Sequence, residues 1–323
     1  MVMTKPTVVL TRRLPEAVER AAAERFDLRR NMDDHRFTAA EMESALRTAD
    51  GIICTLGDPL RADTLGAGPW RARILANFGA GTDHIDLAAA KGAGLVVTNT
   101  PGALTEATAD LAMALILMTT RRLGEGEREV RRGEWTGWRP THLLGTSLQG
   151  KTLGIIGFGR IGQATARRSK HGFGMEVVYV SRSDRSLAGQ ELRARSLELE
   201  QLLASSDVVS LHTPATSETI GMLDARRIGL MKKGSYLINT ARGSLVDEPA
   251  MIAALRSGRL AGAGLDVYLG EPQVSPELLA LENVVTLPHL GSATLEARTA
   301  MGMRAMENLD AFFAGGTLLD PVG

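Results

Sequence analysis

The sequence predicts an α/β protein of two doubly wound domains, each a parallel sheet covered on both faces by helices. Three observations predict it. Short β-branched runs alternate with helical patterns from one end of the chain to the other. The runs are apolar, as strands buried on both faces are. A chain of 323 residues is too long for one small core and suits two domains of ordinary size. No fixed-period repeat or low-complexity segment competes with this reading.

In the first half, residues 7–11, 51–54, 74–77 and 95–98 read as strands, with helical stretches beginning near Pro15, Thr38, Arg61 and Asp86. Pro101-Gly102 punctuates the chain. Residues 105–122 then form a long helix, apolar on almost every side at its middle, as a helix buried between two bodies is. The charged stretch 121–134 reads as a solvated helix face. Trp135, Trp138 and a Gly/Thr/Pro-rich connector lead to Gly150. A second alternating series places strands near 153–156, 176–180, 208–211, 235–239 and 262–265, and an amphipathic helix over 294–313 closes the chain.

Composition narrows the function. At 44% hydrophobic and 23% charged residues the chain is of soluble globular type. Lysine plus arginine total 37, as do aspartate plus glutamate, so no global field attracts nucleic acid or an acidic membrane surface. Cys54 is the only cysteine, which excludes an intrachain disulfide and a cysteine zinc cluster and fits a reducing compartment. The opening residues lack a secretory signal pattern, and the longest apolar run, 111–118, falls well short of the roughly 20 residues a bilayer span needs. The expectation is a cytoplasmic protein that binds neither nucleic acid nor membrane.

Lys151-Thr-Leu-Gly-Ile-Ile-Gly157-Phe-Gly159-Arg-Ile-Gly162 reads as strand, glycine turn and helix start. Gly157 allows the tight turn, Gly159 lets a pyrophosphate approach the backbone, and Gly162 lets the helix pack close to the strand. The helix N-terminus offers unpaired N–H groups and a partial positive charge to the anion. In a chain with 35 glycines a bare pattern of this kind arises by chance about 0.4 times, so its placement between an apolar strand and a helix carries the argument. The next strand runs into Ser181-Arg182-Ser183 with no carboxylate at its tip. An arginine between two hydroxyls suits the 2′-phosphate of NADPH, whereas Asp184 just beyond would serve NADH only if the turn bends unusually.

Three later segments carry polar groups at strand ends, where doubly wound folds place their ligands. They contain Arg242 (INTARG), Glu271 (LDVYLGEP) and His289 (LPHLGSAT). Taken singly each has a plain structural explanation; together they suit reduction of a 2-keto acid. Arg242 can hold the α-carboxylate in a planar fork and polarise the keto oxygen. His289 can donate the proton the new alkoxide needs, and Glu271, bonded to the imidazole, would favour its charged form.

GFGRIG, TARGSLVDE, GAGLDVYLGEP and LPHLGSAT resemble the D-2-hydroxyacid dehydrogenase family, over essentially the whole chain. NFGAGTDHID and NTPGALTEATADLA are similar to its glyoxylate/hydroxypyruvate reductase branch. The resemblance implies Arg242, Glu271 and His289 as the catalytic set. It implies a Rossmann-type NAD(P) domain, 101–290, inserted into a flavodoxin-like substrate domain, 1–100 and 291–323. For the substrate it implies the backbone at Ala80 and Gly81, with Leu56, Arg242, His289 and Trp138 shaping the pocket. For the cofactor it implies Asp266 beside the nicotinamide. Thr108, Phe158, Arg160, Ile161, His212, Thr213, Pro214, Thr219, Thr240, Ala241 and Gly291 complete that set, with the three glycines and Ser181, Arg182 and Ser183. It further implies a homodimer built from the cofactor domains, with the Trp135–Trp138 loop reaching the neighbouring subunit, and NADP(H) in preference to NAD(H).

Formate oxidation, which moves no substrate hydroxyl proton, gives no use for Glu271. Phosphite oxidation or another D-2-hydroxyacid stays open. A reading from another class, a corepressor-like protein that senses bound dinucleotide, would resemble this chain even in the triad. The expected activity is NADPH-dependent reduction of glyoxylate and hydroxypyruvate.

Overall fold

A computed structural model describes residues 5–323, and the chain passes from one folded unit into a second and back. The first unit holds the described residues through Leu104 together with Ser292–Gly323; the second is Thr105–Gly291.

The first unit is built on β1 (Thr7–Leu10), β2 (Asp27–Arg30), β3 (Gly51–Cys54), β4 (Ile74–Asn77) and β5 (Val96–Thr98). With the terminal β13 (Pro321–Val322) they form one sheet in the order β13-β5-β4-β3-β1-β2. All pairs are parallel except β13 on β5. Alternate residues of the central strands feed different cores. Val8, Leu10, Ile53 and Ile74 pack with Val18, Met306 and Leu309 from the helices Glu16–Arg25 and Leu295–Phe313. Val9, Ile52, Cys54 and Leu75 pack with Met42 and Leu46 of Ala39–Thr48. Burial on both faces explains why these strands read as continuous apolar runs. Helix starts follow from local chemistry: Thr38 and Glu41 form a reciprocal capping box, and Asp86 and Thr294 accept from Ala89 and Ala297 N–H groups.

The second unit carries β6 (Thr152–Ile156), β7 (Glu176–Val180), β8 (Arg195–Ser196), β9 (Val208–Leu211), β10 (Ser235–Asn239), β11 (Leu260–Leu265) and β12 (Val284–Thr286). Their order is β12-β11-β10-β9-β6-β7-β8, all parallel. The chain winds outward from β6 to β8, then returns to lay β9 on the other side of β6. That reversal opens a crevice at the carboxyl ends of β6 and β9, where doubly wound sheets bind ligands. Leu153, Ile155, Val177 and Tyr179 enter one core; Ile156, Val178, Val209 and Leu237 enter the other.

Several elements differ from the sequence expectation. The helix expected over 105–122 runs Thr105–Thr120 and breaks at Arg122, whose φ of 54° is left-handed. A separate helix, Leu123–Arg131, follows with no buried residue. The strands β2, β8, β12 and β13 lie at the sheet edges; β2, β8 and β13 are polar or only two residues long and carry no apolar signature, and β12 (VVT) is apolar but only three residues long. The unit boundaries fall after Leu104 and after Gly291. Gly291 stays with the second unit because Asp266 accepts its N–H (2.8 Å) and Thr108 donates to its carbonyl (3.0 Å). Among the described residues no helix is long and apolar enough to cross a membrane.

Candidate active site

The glycine turn follows β6. Gly157 has φ 99°, and a Cβ there would stand 2.6 Å from the backbone of His212 and 2.7 Å from Thr213 N, so no other residue fits. This contact seats the turn against the end of β9. A Cβ on Gly162 would meet Gly157 O at 2.2 Å, which is the close helix-to-strand packing expected of the third glycine. A Cβ on Gly159 would meet nothing within 4 Å: the middle glycine faces open space, a cradle that a side chain would fill. The helix Arg160–Phe173 begins there with no side-chain cap and no acidic residue in its first turn. Its free N–H groups and partial positive charge therefore suit a pyrophosphate. Phe158, by contrast, is fully buried and stacks on Tyr179 at 4.0 Å, so its ring holds the turn from beneath.

Beyond β7, Arg182 and Ser183 are exposed and Ser181 half-buried. Asp184 is engaged locally: its Oδ1 accepts from Ser186 N at 2.8 Å, which holds its carboxyl below the usual range. At the end of β9, the His212 ring bonds Ser210 Oγ through Nε2 (2.9 Å), and burial pushes it down to about 4, so it is neutral near pH 7. Thr219 Oγ1 donates to Pro214 O (2.7 Å) and accepts from Thr216 N (2.8 Å), closing the loop that starts at Thr213.

The end of β10 presents the arginine. Buried Asn239 clasps the turn: its Nδ2 donates to Arg242 O (2.8 Å) and its Oδ1 accepts from Ala241 N (3.0 Å). Thr240 Oγ1 is buried with no hydrogen-bond partner, the kind of polar atom a bound ligand satisfies. Gly243 lies so close to Tyr268 and Leu269 that a Cβ would approach their backbone to 2.1 Å. The arginine turn is thus pressed onto the loop that leads to Glu271.

That loop leaves β11 at Asp266. Tyr268 Oη donates to Leu287 O (2.9 Å), and its N–H donates to Glu271 Oε1 (3.0 Å). The other carboxylate oxygen, Oε2, meets His289 Nδ1 at 2.8 Å. Burial works to raise the Glu271 carboxyl, but hydrogen bonds from the His289 ring and Tyr268 N–H more than offset it. Helped by the charges of His289 and Arg242, they hold it below its ordinary value. An ionised Glu271 only accepts, so Nδ1 carries a proton and Nε2 is the ring atom left for a substrate.

His289 sits at φ 55°, a left-handed conformation rare for a histidine. Asp266 maintains it. The Asp266 carbonyl accepts from His289 N (3.0 Å), and its carboxylate accepts from Leu290 N (2.6 Å) and Gly291 N (2.8 Å). Burial raises the Asp266 carboxyl in spite of those donors. The family resemblance implies Asp266 beside the cofactor; what the structure gives is its binding of the histidine turn, which residue type alone does not disclose. Asn239, Gly243 and Tyr268 were likewise missed. The one sequence signal for them was their position between the strand ends and the polar residues.

Leu56, Ala80 and Gly81 belong to the first unit. Leu56 is 36% exposed on the loop after β3. Buried Asp58 ties that loop by accepting from Thr55 N (2.6 Å) and Thr11 Oγ1 (2.5 Å), while burial raises its carboxyl. The Ala80–Gly81 turn has its carbonyls directed inward: Asn77 Nδ2 donates to Gly79 O and Gly81 O, and Asn99 Nδ2 to Ala80 O. Trp138, on the connector of the second unit, is 83% exposed.

Residues 113–291 match the family model "D-isomer specific 2-hydroxyacid dehydrogenase, NAD binding domain". A glyoxylate reductase of Thermococcus litoralis is 44% identical over 315 residues, 96% of this chain and 95% of that protein. A glycerate dehydrogenase of Hyphomicrobium methylovorum is 39% identical over 98% of each. The crystal structure of an NADPH-dependent glyoxylate/hydroxypyruvate reductase from Sinorhizobium meliloti, in complex with NADP and malonate, superposes with TM-score 0.87 at 36% identity. That match covers 99% of this chain and 97% of the other. With its two parallel-sheet units, its glycine cradle and its arginine, glutamate and histidine at successive strand ends, this chain belongs to the D-isomer specific 2-hydroxyacid dehydrogenases and is an NAD(P)-dependent enzyme.

Proposed function

We propose that this dehydrogenase is an NADPH-preferring reductase of small 2-keto acids, glyoxylate and hydroxypyruvate first, yielding D-2-hydroxy acids. The observation that carries the chemistry is the Glu271–His289 pair, 2.8 Å apart, with Glu271 on the loop packed against the Arg242 turn. Arg242 binds the substrate carboxylate through its planar fork and draws electron density from the keto oxygen. His289 Nε2 gives its proton to the alkoxide, and Glu271 stabilises the imidazolium before transfer.

The Gly157–Gly162 turn holds the dinucleotide, with Thr108, Arg160, Ile161, His212, Thr213, Pro214, Thr219, Thr240, Ala241, Asp266 and Gly291 around it. When bound, the reduced nicotinamide supplies the hydride. Ser181, Arg182 and Ser183 carry the NADPH preference: the tip of β7 bears no carboxylate to take a ribose 2′-OH, and Asp184 just beyond it accepts from Ser186 N through Oδ1. NADP in the Sinorhizobium meliloti reductase supports the same reading.

A homodimer is part of the proposal. Leu123, Val130, Trp135, Trp138 and Leu144 are exposed on the second unit, and Leu123 and Val130 line a cavity of about 620 Å³. Exposed large apolar groups of this kind suit an interface. Light scattering at twice the chain mass is the expected result; a monomer would remove the neighbouring-subunit role of Trp138.

The decisive experiment follows oxidation of NADPH and of NADH by the purified enzyme with glyoxylate, hydroxypyruvate and pyruvate. Fast turnover of the first two with NADPH is expected. Turnover with NADH alone would keep the chemistry and discard the role of Arg182. Tight dinucleotide binding with no turnover would favour a redox-sensing binding protein.

A further inference from the structure

At the end of β7, Arg182 Nη1 lies 3.5 Å from Glu218 Oε2, and the two side chains are 78% and 72% exposed. Glu218 stands on the loop after β9, next to Thr219, whose hydroxyl ties that loop to Pro214 and Thr216. The same loop begins at His212 and Thr213, against which Gly157 packs. One loop therefore both braces the glycine turn and presents a carboxylate to the arginine at the cofactor rim.

We propose that Glu218 is a specificity-determining residue that competes with the cofactor's 2′-phosphate for Arg182. The inference rests on the NADPH reading above. A guanidinium engages a phosphate best through its planar fork, and a carboxylate lying on part of that fork must leave first. The pair is weak, since it is a single long contact between exposed, screened groups. NADPH therefore displaces Glu218, at a loss of affinity. NADH, with only a hydroxyl at the 2′ position, has no need of the fork and leaves the pair in place. Glu218 thus narrows the gap between the two cofactors without touching the nicotinamide or the substrate.

The test is titration of the protein's fluorescence with NADPH and with NADH, for the parent, Glu218→Gln, Arg182→Ala and the double variant. Both side chains are exposed, so all four proteins are expected to fold. Glu218→Gln should lower the ratio of NADPH to NADH dissociation constants about fivefold, and less than about twofold when Arg182 is already alanine. An unchanged ratio in Glu218→Gln, or an equal fall with and without Arg182, overturns the proposal. A different result separates the underlying reading: if Arg182→Ala alone leaves the ratio at the parent value, Arg182 does not recognise the phosphate. The NADPH assignment then falls, and the competition with it.

Discussion

The His289→Ala enzyme should reduce glyoxylate about a thousandfold more slowly than the parent, a barrier about 4 kcal/mol higher, with its NADPH dissociation constant unchanged. The reason lies in how the ring is held. Nδ1 is occupied by Glu271 at 2.8 Å, and Glu271 is itself oriented by Tyr268 N–H. The imidazole therefore has one orientation and one ring nitrogen to offer. An alkoxide formed without a positioned acid must take its proton from water, and the proximity of the donor is lost. The backbone at 289 keeps φ 55° because Asp266 holds the turn through backbone contacts, which alanine at 289 leaves in place. The thermal midpoint should thus move little, which separates a chemical defect from an unfolded one. Steady-state kinetics with NADPH fluorescence titration check both halves. Turnover at the parent rate would end the acid assignment, and the pH dependence of the residual rate should flatten in the variant.

How much of this was legible in the sequence depends on what each residue does. The central strands of both sheets were readable because each is buried on both faces: Ile52 and Ile53 face opposite cores, so the run stays apolar. The polar edge strand Asp27–Arg30 has no such pressure and gave no signal. The glycines were readable one by one, since the turn, the open cradle and the close helix each demand the absence of a Cβ. Arg242, Glu271 and His289 could be named because they appear together after successive strands, in segments that resemble a known family. Their supports could not. Asn239 acts through a backbone clasp, Gly243 through close approach, and Asp266 by binding two N–H groups 24 and 25 residues away. These depend on strand order, which places β10 between β9 and β11, and no local pattern encodes that. The return of the chain to the first unit after Gly291 was likewise supplied by family resemblance, because hydrophobic periodicity does not say which sheet a closing helix covers.

Arg242→Ala should lower kcat/KM for glyoxylate by about a thousandfold or more, with a lower kcat and a higher KM, because on the proposed reading one group anchors the carboxylate and polarises the carbonyl. Arg242→Lys keeps the positive charge but replaces a fork with a point charge, and should recover only part of the loss, to about a hundredfold defect. The fork is preorganised: Asn239 fixes the backbone on either side, and Arg242 Nη1 donates to Ala241 O at 2.7 Å. Lysine at 242 inherits the turn but has three rotating donors in place of two coplanar ones, so the carbonyl is no longer held in line for hydride attack. On the proposed reading both side chains act on the same keto group, so His289→Ala and Arg242→Ala should be less than additive in the double variant, with a coupling of about 1–3 kcal/mol. Steady-state kinetics of the four proteins measure it. If Arg242→Ala instead changes NADPH affinity and leaves kcat/KM for the keto acid intact, the arginine serves the cofactor and the carboxylate anchor lies elsewhere.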